Sequence, residues 1–565
     1  MASALYPAVV VQRPLRVGLL LDSLHVPAWV ERSIGLALEA GDAPIVSVLL
    51  NASDASASAA IAARSHRPTL FEQYVARDVA RYRRPQSALA LRDVSTLLQS
   101  IAILNILPHD TAAGSEYGAA DVGAVRALEL DAIVDFGART IGGDMLGAAR
   151  CGLWSHLCGD IPHRRGDADF FREILTRDPR SVTGLYAADA AADRAKILLR
   201  SVAATNFLSL ELSRNHTLWK SASFLSRQLR RAARSTESVP DDPADGVRIE
   251  PSEALPGNTE MLAFFARTAL RRFQSGVRRR GYDEHWILGY RYAATPLQPD
   301  APVMESVHAL LPPRGHFHAD PCVISRDDRD FLFYEDFDYA TELGSIACVE
   351  LTEQGPVGAA RLVLQTGSHL SYPHVFEVDR TMYMVPESGA ARRVSLYRAS
   401  EFPWRWEPVA DLLEGHNAVD ATLWQHQGHW YLFTAIAESG GVIHDELFLF
   451  HSNSLLGPWL PHPCNPVVSD VGRARPAGAL FLRDGRLIRP AQDCAVNYGR
   501  AVVFNEVIEL SPQRYRERAL GRLDAAWYPG LHGCHTYNAS GRIEVVDGKF
   551  HARKNAVRCG RDRQP

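Results

Sequence analysis

The sequence predicts two modules of different fold class, an α/β domain followed by an all-β domain built on a fivefold repeat. Three features carry this prediction. Short apolar strands alternate with Ala-rich helical stretches up to about residue 200. A Pro-, Asp- and Ser-rich stretch, STESVPDDPADGVRIEPSEALPGN, follows. Beyond about residue 285 a two-strand unit recurs on a period near fifty residues. A chain of 565 residues also exceeds what one hydrophobic core serves.

In the first module, assigned to residues 14–205, the strands are Arg16–Leu21, Ile45–Leu50 and Ala132–Asp135, with helical segments such as Trp29–Ala40 between them. This alternation is that of a parallel sheet with crossover helices. Asp22 and Ser23 follow the first strand in a loop placed to face a ligand, but no Gly-rich dinucleotide fingerprint and no phosphate-binding P-loop is present. Residues 206–235 have the pattern of one amphipathic helix with a basic end, Arg227, Arg230, Arg231 and Arg234. That end is expected to be a solvated face, with peripheral contact to an anionic membrane as the alternative. The helix and the linker span 206–255, and a helical lead-in spans 256–284.

Composition narrows the function classes. With 46% hydrophobic and 22% charged residues and a net charge of −4, the chain has no global field for nucleic acid. Eight scattered cysteines without a CxxC imply reduced thiols, with no zinc site and no disulfide framework. The apolar run Val17 to Leu21 is too short for a signal-peptide core, and no 18 apolar residues run together. A cytoplasmic protein without a transmembrane segment is expected.

The second module, assigned to residues 285–555, repeats a strand, a polar turn and an aromatic-rich strand. The units open at Asp320, Tyr372, Asp420 and Arg475, with a weaker fifth at His535, giving spacings of 52, 48, 55 and 60 residues. This is the period of four-stranded blades, and five units close a five-bladed β-propeller. The strand His285–Tyr292 is available to complete the last blade and remove an open edge. Inner strands line the channel of a propeller, so the five opening residues should converge on its axis. Glu335 and Glu387, fifteen residues after the first two openings, should join them. Tyr372, Trp424, Tyr498 and Trp527 offer faces for sugar stacking, although core positions are the simpler expectation. His318, His374, His532 and His535 suit either a metal or ordinary hydrogen bonds, and the second is favoured. Gln492 and Asp493 would bind substrate or satisfy strand ends.

The segments HADPCVI, SYPHVFEVDRTMYMVPES, DATLWQHQGHWYLFTA, SLLGPWLPHPCNPVVSD and RPAQDCAVNYGRA resemble the propeller domain of the glucosamine inositolphosphorylceramide transferase family. In the plant members sugar transfer is attributed to a separate glycosyltransferase domain, for which this sequence shows no counterpart. The units are more distantly similar to five-bladed arabinanases, β-xylosidases and invertases. That resemblance implies Asp320 (in HADP) as base or nucleophile and Asp420 (in VDAT) as the carboxylate that orients or tunes it. The family's acid, a glutamate opening the fourth blade, is replaced here by Arg475. An arginine holds its proton too tightly to donate it near neutral pH, so Glu387, or else Glu335, is the candidate acid. Arg475 and Arg489 would suit an anionic group on the substrate. Glu335, Tyr372, His374, Gln492, Asp493 and His535 complete the expected substrate-binding set.

Residues 131–200, with DAIVDFGARTIGGDMLGAARCGLWSHLCGDIPHRRG, resemble the formyl-transfer domain of folate-dependent formyltransferases, which implies a doubly wound fold. The family's asparagine and histidine fall on Ser155 and Leu157, with His156 one residue out of register and Asp193 in the place of the later aspartate. One position along a strand is the opposite face, so this site is expected to be degenerate and folate is not expected. Three functions remain open. The first is glycosyl transfer or glycoside hydrolysis in the propeller funnel, in bacterial surface-glycan or glycolipid metabolism, with a nucleotide sugar as the conceivable donor. The second is carbohydrate binding without turnover, and the third is sugar N-formyl transfer with the propeller holding the acceptor.

Overall fold

Val17–Leu21 is buried at all five positions, as a strand covered on both faces requires. It lies inside an eight-stranded sheet of order Val247–Arg248, Arg194–Ala204, Arg180–Ala188, Leu153–Cys158, Ala132–Asp135, Val17–Leu21, Ile45–Asn51, Ala102–Ile106. The last five of these run parallel, and the first three continue the sheet antiparallel. From Val17–Leu21 the chain winds to one side through two strands and then crosses to the other, the doubly wound order. The computed structural model describes residues 4–7, 15–41, 43–52, 68–111, 114–137, 139–158, 169–188, 194–234, 247–248, 255–438 and 440–553.

The chain divides into two units. One comprises Ala8–Leu270 with Glu438–Gly441; the other comprises Met1–Pro7, Arg271–Ala437 and Val442–Pro565. In the first unit the single helix expected over 206–235 is two, Leu210–Ser221 and Phe224–Arg234. Around the break, Ser221 Oγ donates to Thr217 O (3.0 Å) and Ser223 Oγ to Lys220 O (3.2 Å). Such hydroxyl bonds compete with the helical ladder. Arg227 is buried, so it belongs neither to a solvated face nor to a membrane contact.

The second unit is a five-bladed propeller. Four blades are continuous in sequence: His316–Arg326 through Gly355–Leu364, Ser371–Val378 through Arg405–Glu414, Ala418–His426 through Leu460–Pro461, and Phe481–Arg483 through Tyr515–Asp524. The fifth is composite. Its inner strands, Tyr537–Ser540 and Ile543–Arg553, pair with Tyr282–Tyr292 and then His308–Leu310. Eleven antiparallel pairs, Tyr282↔Arg553 to Tyr292↔Ile543, join chain segments about 260 residues apart and close the ring. Between blades the sheets share apolar clusters such as Phe333, Cys348, Met384 and Trp406. Each such large side chain contributes about 1.5–3 kcal/mol on burial.

One backbone feature repeats on the inner strands. Asp320, Tyr372 and Asp420 have φ of 53°, 43° and 54°. Each sits where the register to the second strand shifts, between Ala319 and Cys322, Ser371 and His374, Val419 and Thr422. A left-handed non-glycine residue costs about 1–2 kcal/mol, and a bulge re-aims the side chain it carries. The first three blades therefore accept the same strain at the position that faces the axis.

The axis also depends on one close backbone approach. Gly478 has φ +129° and donates its N–H to Tyr372 Oη (2.7 Å), and a Cβ added to it would lie 2.0 Å from Tyr537 O. Gly478→Ala should lower stability by about 2–4 kcal/mol, from strain plus overpacking. A urea titration of the full chain measures this; an unchanged midpoint would show that the two strands can separate freely.

Candidate functional site

The three bulges place Asp320, Tyr372 and Asp420 side by side around the axis. Tyr372 N donates to Asp320 Oδ2 (3.2 Å), and Asp420 N donates to Glu387 Oε2 (3.3 Å). Glu335 pairs with Ala319 and Glu387 with Ser371 across the first hairpin of their blades, so both carboxyls return beside the opening residue. The fourth blade enters irregularly. A bridge between Pro476 and Ala491, with Gln492 N donating to Arg475 O (2.8 Å), sets Arg475 against the axis.

Arg475 is spent inside the cluster. Its Nε and Nη2 donate to the two oxygens of Asp420 (2.5 and 3.3 Å), Nη2 lies 3.7 Å from Glu387 Oε2, and Nη1 donates to His444 Nδ1 (3.0 Å). The guanidinium also lies over the Tyr498 ring at 4.9 Å. Gln492 Nε2 adds a bond to Asp420 Oδ2 (2.9 Å). Burial works against ionisation of Asp420, but the Arg475 charge and bonds outweigh it and hold this carboxyl below its usual range. Glu387 and Glu335 go the other way. Burial pushes both well above the ordinary glutamate range, with Asp420 adding at Glu387 and Asp320 at Glu335.

Asp320 stands between these extremes, pushed up to about 6 by burial, with His535 opposing and the Asp420 and Asp547 charges adding. Its Oδ1 accepts from Thr536 Oγ1 (2.9 Å) and lies 3.4 Å from His535 Nε2. His535 Nδ1 contacts Asp547 Oδ2 in turn. The donor atoms of Asp320, His535 and Asp547 lie within 4.8 Å of one another, close enough to hold a cation. Each imidazole nitrogen faces a carboxylate, Nδ1 towards Asp547 and Nε2 towards Asp320.

The structure thus brings together Asp320, Glu335, Tyr372, Glu387, Asp420, Arg475, Gln492 and His535. Three expected binding residues stand apart. Arg489 is buried on the second strand of its blade and forks onto Glu517 through Nε and Nη2 (2.8 Å each), an ion pair within the blade. Asp493 ends that strand and accepts from Ala495 N (3.1 Å). His374 Nε2 bonds Leu423 O (3.2 Å), and burial drives its pKa down to about 4, as suits a neutral interblade tie. His318 and His532 have other neighbours again, Asp336 and the stacked His551. Trp424 and Trp527 pack against core clusters, whereas Tyr498 belongs to the site. Asp547, Thr536, His444 and Trp286 escaped the sequence reading. The signal for Asp547 was a carboxylate facing an opening position across a hairpin, but at twelve residues after His535 instead of fifteen.

In the first unit, Ser155 Oγ donates to Asp135 Oδ2 (3.2 Å). His156 points to the other face, edge-on to Trp29 at 4.6 Å, in the wall of a cavity of about 260 Å³. Asp22 accepts from Asn51 Nδ2 (2.7 Å) and Ser23 Oγ from His25 N (2.9 Å). Asp193 lies outside the described residues.

Fold and site together define a five-bladed propeller with an acid cluster on its axis. Residues 293–524 match the family model described as glucosamine inositolphosphorylceramide transferase 1, N-terminal. The chain is 36% identical over 207 residues to glucosamine inositolphosphorylceramide transferase 1 of Oryza sativa subsp. japonica, covering 36% of this chain and 28% of that protein. Its counterpart in Arabidopsis thaliana is 35% identical over 211 residues, with 36% and 27% covered. The match thus spans little more than a quarter of these curated relatives. Among solved structures, the catalytic domain of a Coprinopsis cinerea GH62 α-L-arabinofuranosidase is similar at 14% identity and TM-score 0.32, over 48% of this chain and 99% of that one. An α-L-arabinofuranosidase from Podospora anserina is similar at 10% identity and TM-score 0.33, over 45% and 95%.

The charge state of Asp320 carries a stability signature. Its folded pKa of about 6 lies above the ordinary 3.8. The folded state therefore binds more protons between these values, and the stability present below pH 3.8 is lost as pH rises through 6, about 3 kcal/mol in all. Asp320→Asn removes that dependence. Relative to wild type the variant should gain about 1–2 kcal/mol between pH 5 and pH 7.5, read from urea unfolding at both pH values. A pH-independent difference would mean that Asp320 is an ordinary carboxylate.

Proposed function

We propose that the axial cluster performs acid–base chemistry at an anomeric carbon, transferring or hydrolysing a glycosidic bond of a carbohydrate or glycolipid. One observation carries the reading: two carboxyl groups on one axis are driven in opposite directions, Asp420 towards the ionised form by the Arg475 fork and Glu387, 3.7 Å from that guanidinium, towards the protonated form by burial. Cleaving a glycosidic bond needs that pair of states, a charged group on one side and a proton for the leaving oxygen on the other. Asp320, ionised above about pH 6, is the base or nucleophile. Glu387 is the acid, and its side chain is 13% exposed against 2% for Asp420, so it is the one a substrate reaches. Arg475 serves by fixing the charge of Asp420. Partial similarity to proteins named glucosamine inositolphosphorylceramide transferase 1 supports a glycolipid among the substrates to test.

A second reading, recognition without turnover, has its own support. Asp320 already has two inward hydrogen-bond donors, Tyr372 N and Thr536 Oγ1, and a third close neighbour, His535 Nε2 at 3.4 Å. About one of its four acceptor sites is left for a substrate proton.

The test is incubation of the full chain with aryl glycosides and with nucleotide sugars plus glycolipid acceptors, with products identified by mass spectrometry. Asp320→Asn and Glu387→Gln should each lower kcat by about 10²–10⁴-fold while ligand affinity stays within a few-fold. kcat/KM should rise through about pH 6 as Asp320 ionises. Binding by the wild type with no product from any donor would favour the second reading, and turnover indifferent to Asp320→Asn would remove the first.

A further inference from the structure

His535 and Asp547 take no part in the acid–base pair, yet they are as deeply buried as any charged groups on the axis. Burying each ion costs several kcal/mol unless it is well paired, and the pairing here is specific. The imidazole bridges two carboxylates, with Nδ1 against Asp547 Oδ2 and Nε2 at 3.4 Å from Asp320 Oδ1. Asp547 is held from behind, because its Oδ1 accepts the backbone N–H of His535 (2.7 Å) and of Thr536 (3.1 Å). Asp320 N leans on Asp547 Oδ2 at 3.3 Å. Trp286 stacks on the imidazole with centroids 4.0 Å apart and planes 24° apart, and Tyr498 meets it edge to face at 5.2 Å. Aromatic faces favour a cation and exclude water. A neutral imidazole carries one N–H, and only the protonated ring donates from both nitrogens.

We propose that Asp547 and His535 form a positioning relay for Asp320, in which His535 stands as an imidazolium between the two carboxylates and fixes the pH at which Asp320 takes up its proton. The consequence for activity rests on the acid–base reading above; the charge of His535 does not. Asp320 is faced by His535, Asp420, Asp547, Glu335, Glu387, Tyr372 and Tyr498, and among these His535 is the cation. His535 is faced by Asp547, Asp320, Asp420, Trp286 and Tyr498, and Lys549 Nζ lies over the Trp286 and Tyr498 rings at 5.4 and 5.8 Å. The two nearest carboxylates outweigh burial and raise the imidazole pKa. An opposite charge this close lowers a carboxyl by about 1–3 units, so its loss must raise Asp320.

The experiment is imidazole ¹⁵N NMR on the full-length protein, with the His535 signals assigned by their absence in His535→Gln. The wild-type signals should stay those of an imidazolium through pH 7.5, while in Asp547→Asn the ring should titrate at least one pH unit lower. In His535→Gln the acid limb of kcat/KM should move up by one pH unit or more, with plateau affinity for the sugar retained. A neutral His535 at pH 7 in the wild type overturns the relay, as does an acid limb that stays in place in a folded His535→Gln. If His535→Gln does not fold, Asp547→Asn decides the matter through the ring titration, and its signals can be assigned by their shift between wild type and Asp547→Asn. If the wild type turns over no glycoside, the proposed activity fails alone, because the nitrogen spectra still report the relay.

Discussion

Five carboxyl groups, Asp320, Glu335, Glu387, Asp420 and Asp547, converge on the propeller axis, and two cations, Arg475 and His535, touch all of them but Glu335. Five anions cannot share so small a buried volume with two cations, because each uncompensated charge would cost several kcal/mol. The cluster resolves the shortage by dividing its members. Asp420 pairs with Arg475, which holds it below its usual range, and Asp547 pairs with His535. Glu335 and Glu387 have no full partner and keep their protons. Asp320 is left over, and a group in that position titrates near neutrality. The chemistry assigned to the site is the result of this division, and no member could be changed without moving the others.

The ring closure serves the same cluster. The strand that seals the fifth blade, Tyr282–Tyr292, carries Trp286 against His535, while its partner Ile543–Arg553 carries Asp547. Gly499 approaches both Trp286 and His535 so closely that an added Cβ would lie 2.8 Å from the indole and 3.4 Å from the imidazole. Closure and site assembly are therefore one event. An unsealed fifth blade would expose the imidazolium to water and weaken its hold on both carboxylates. The strain at Asp320, Tyr372 and Asp420 belongs to the same economy of placement, since ordinary strand geometry would aim those side chains elsewhere.

Much of this was legible in the residues. The period, the five openings, the two returning glutamates and the sealing strand follow from counting, because blades repeat and hairpins return at fixed distances. What counting misses is set by local geometry. Arg489 and Arg475 are both arginines near the fourth opening, but Arg489 lies on the second strand and pairs outward with Glu517. The left-handed turns at Asp320, Tyr372 and Asp420 have no propensity signal, since none is glycine. Asp547 was hidden because the fifth hairpin is shorter and returns its carboxylate three residues early. The helix break after Ser221 depends on hydroxyl bonds that a periodicity of apolar residues does not register.

The arginine at the fourth opening is the feature that separates this axis from a simple two-carboxylate site. A glutamate there would stand beside Asp420 and Glu387 as a third buried acid, and the like charges would drive all three toward protonation. Arg475 reverses that tendency for Asp420, which it grips at both oxygens, and only partly for Glu387, from which it stands 3.7 Å away. The same side chain thus produces the contrast between an ionised neighbour and a protonated one. It does so with a guanidinium already committed to Asp420, His444 and Tyr498. An arginine so engaged is poorly placed to grasp an anionic substrate, and its contribution is to hold apart the charge states of two carboxyls that proximity would otherwise make alike.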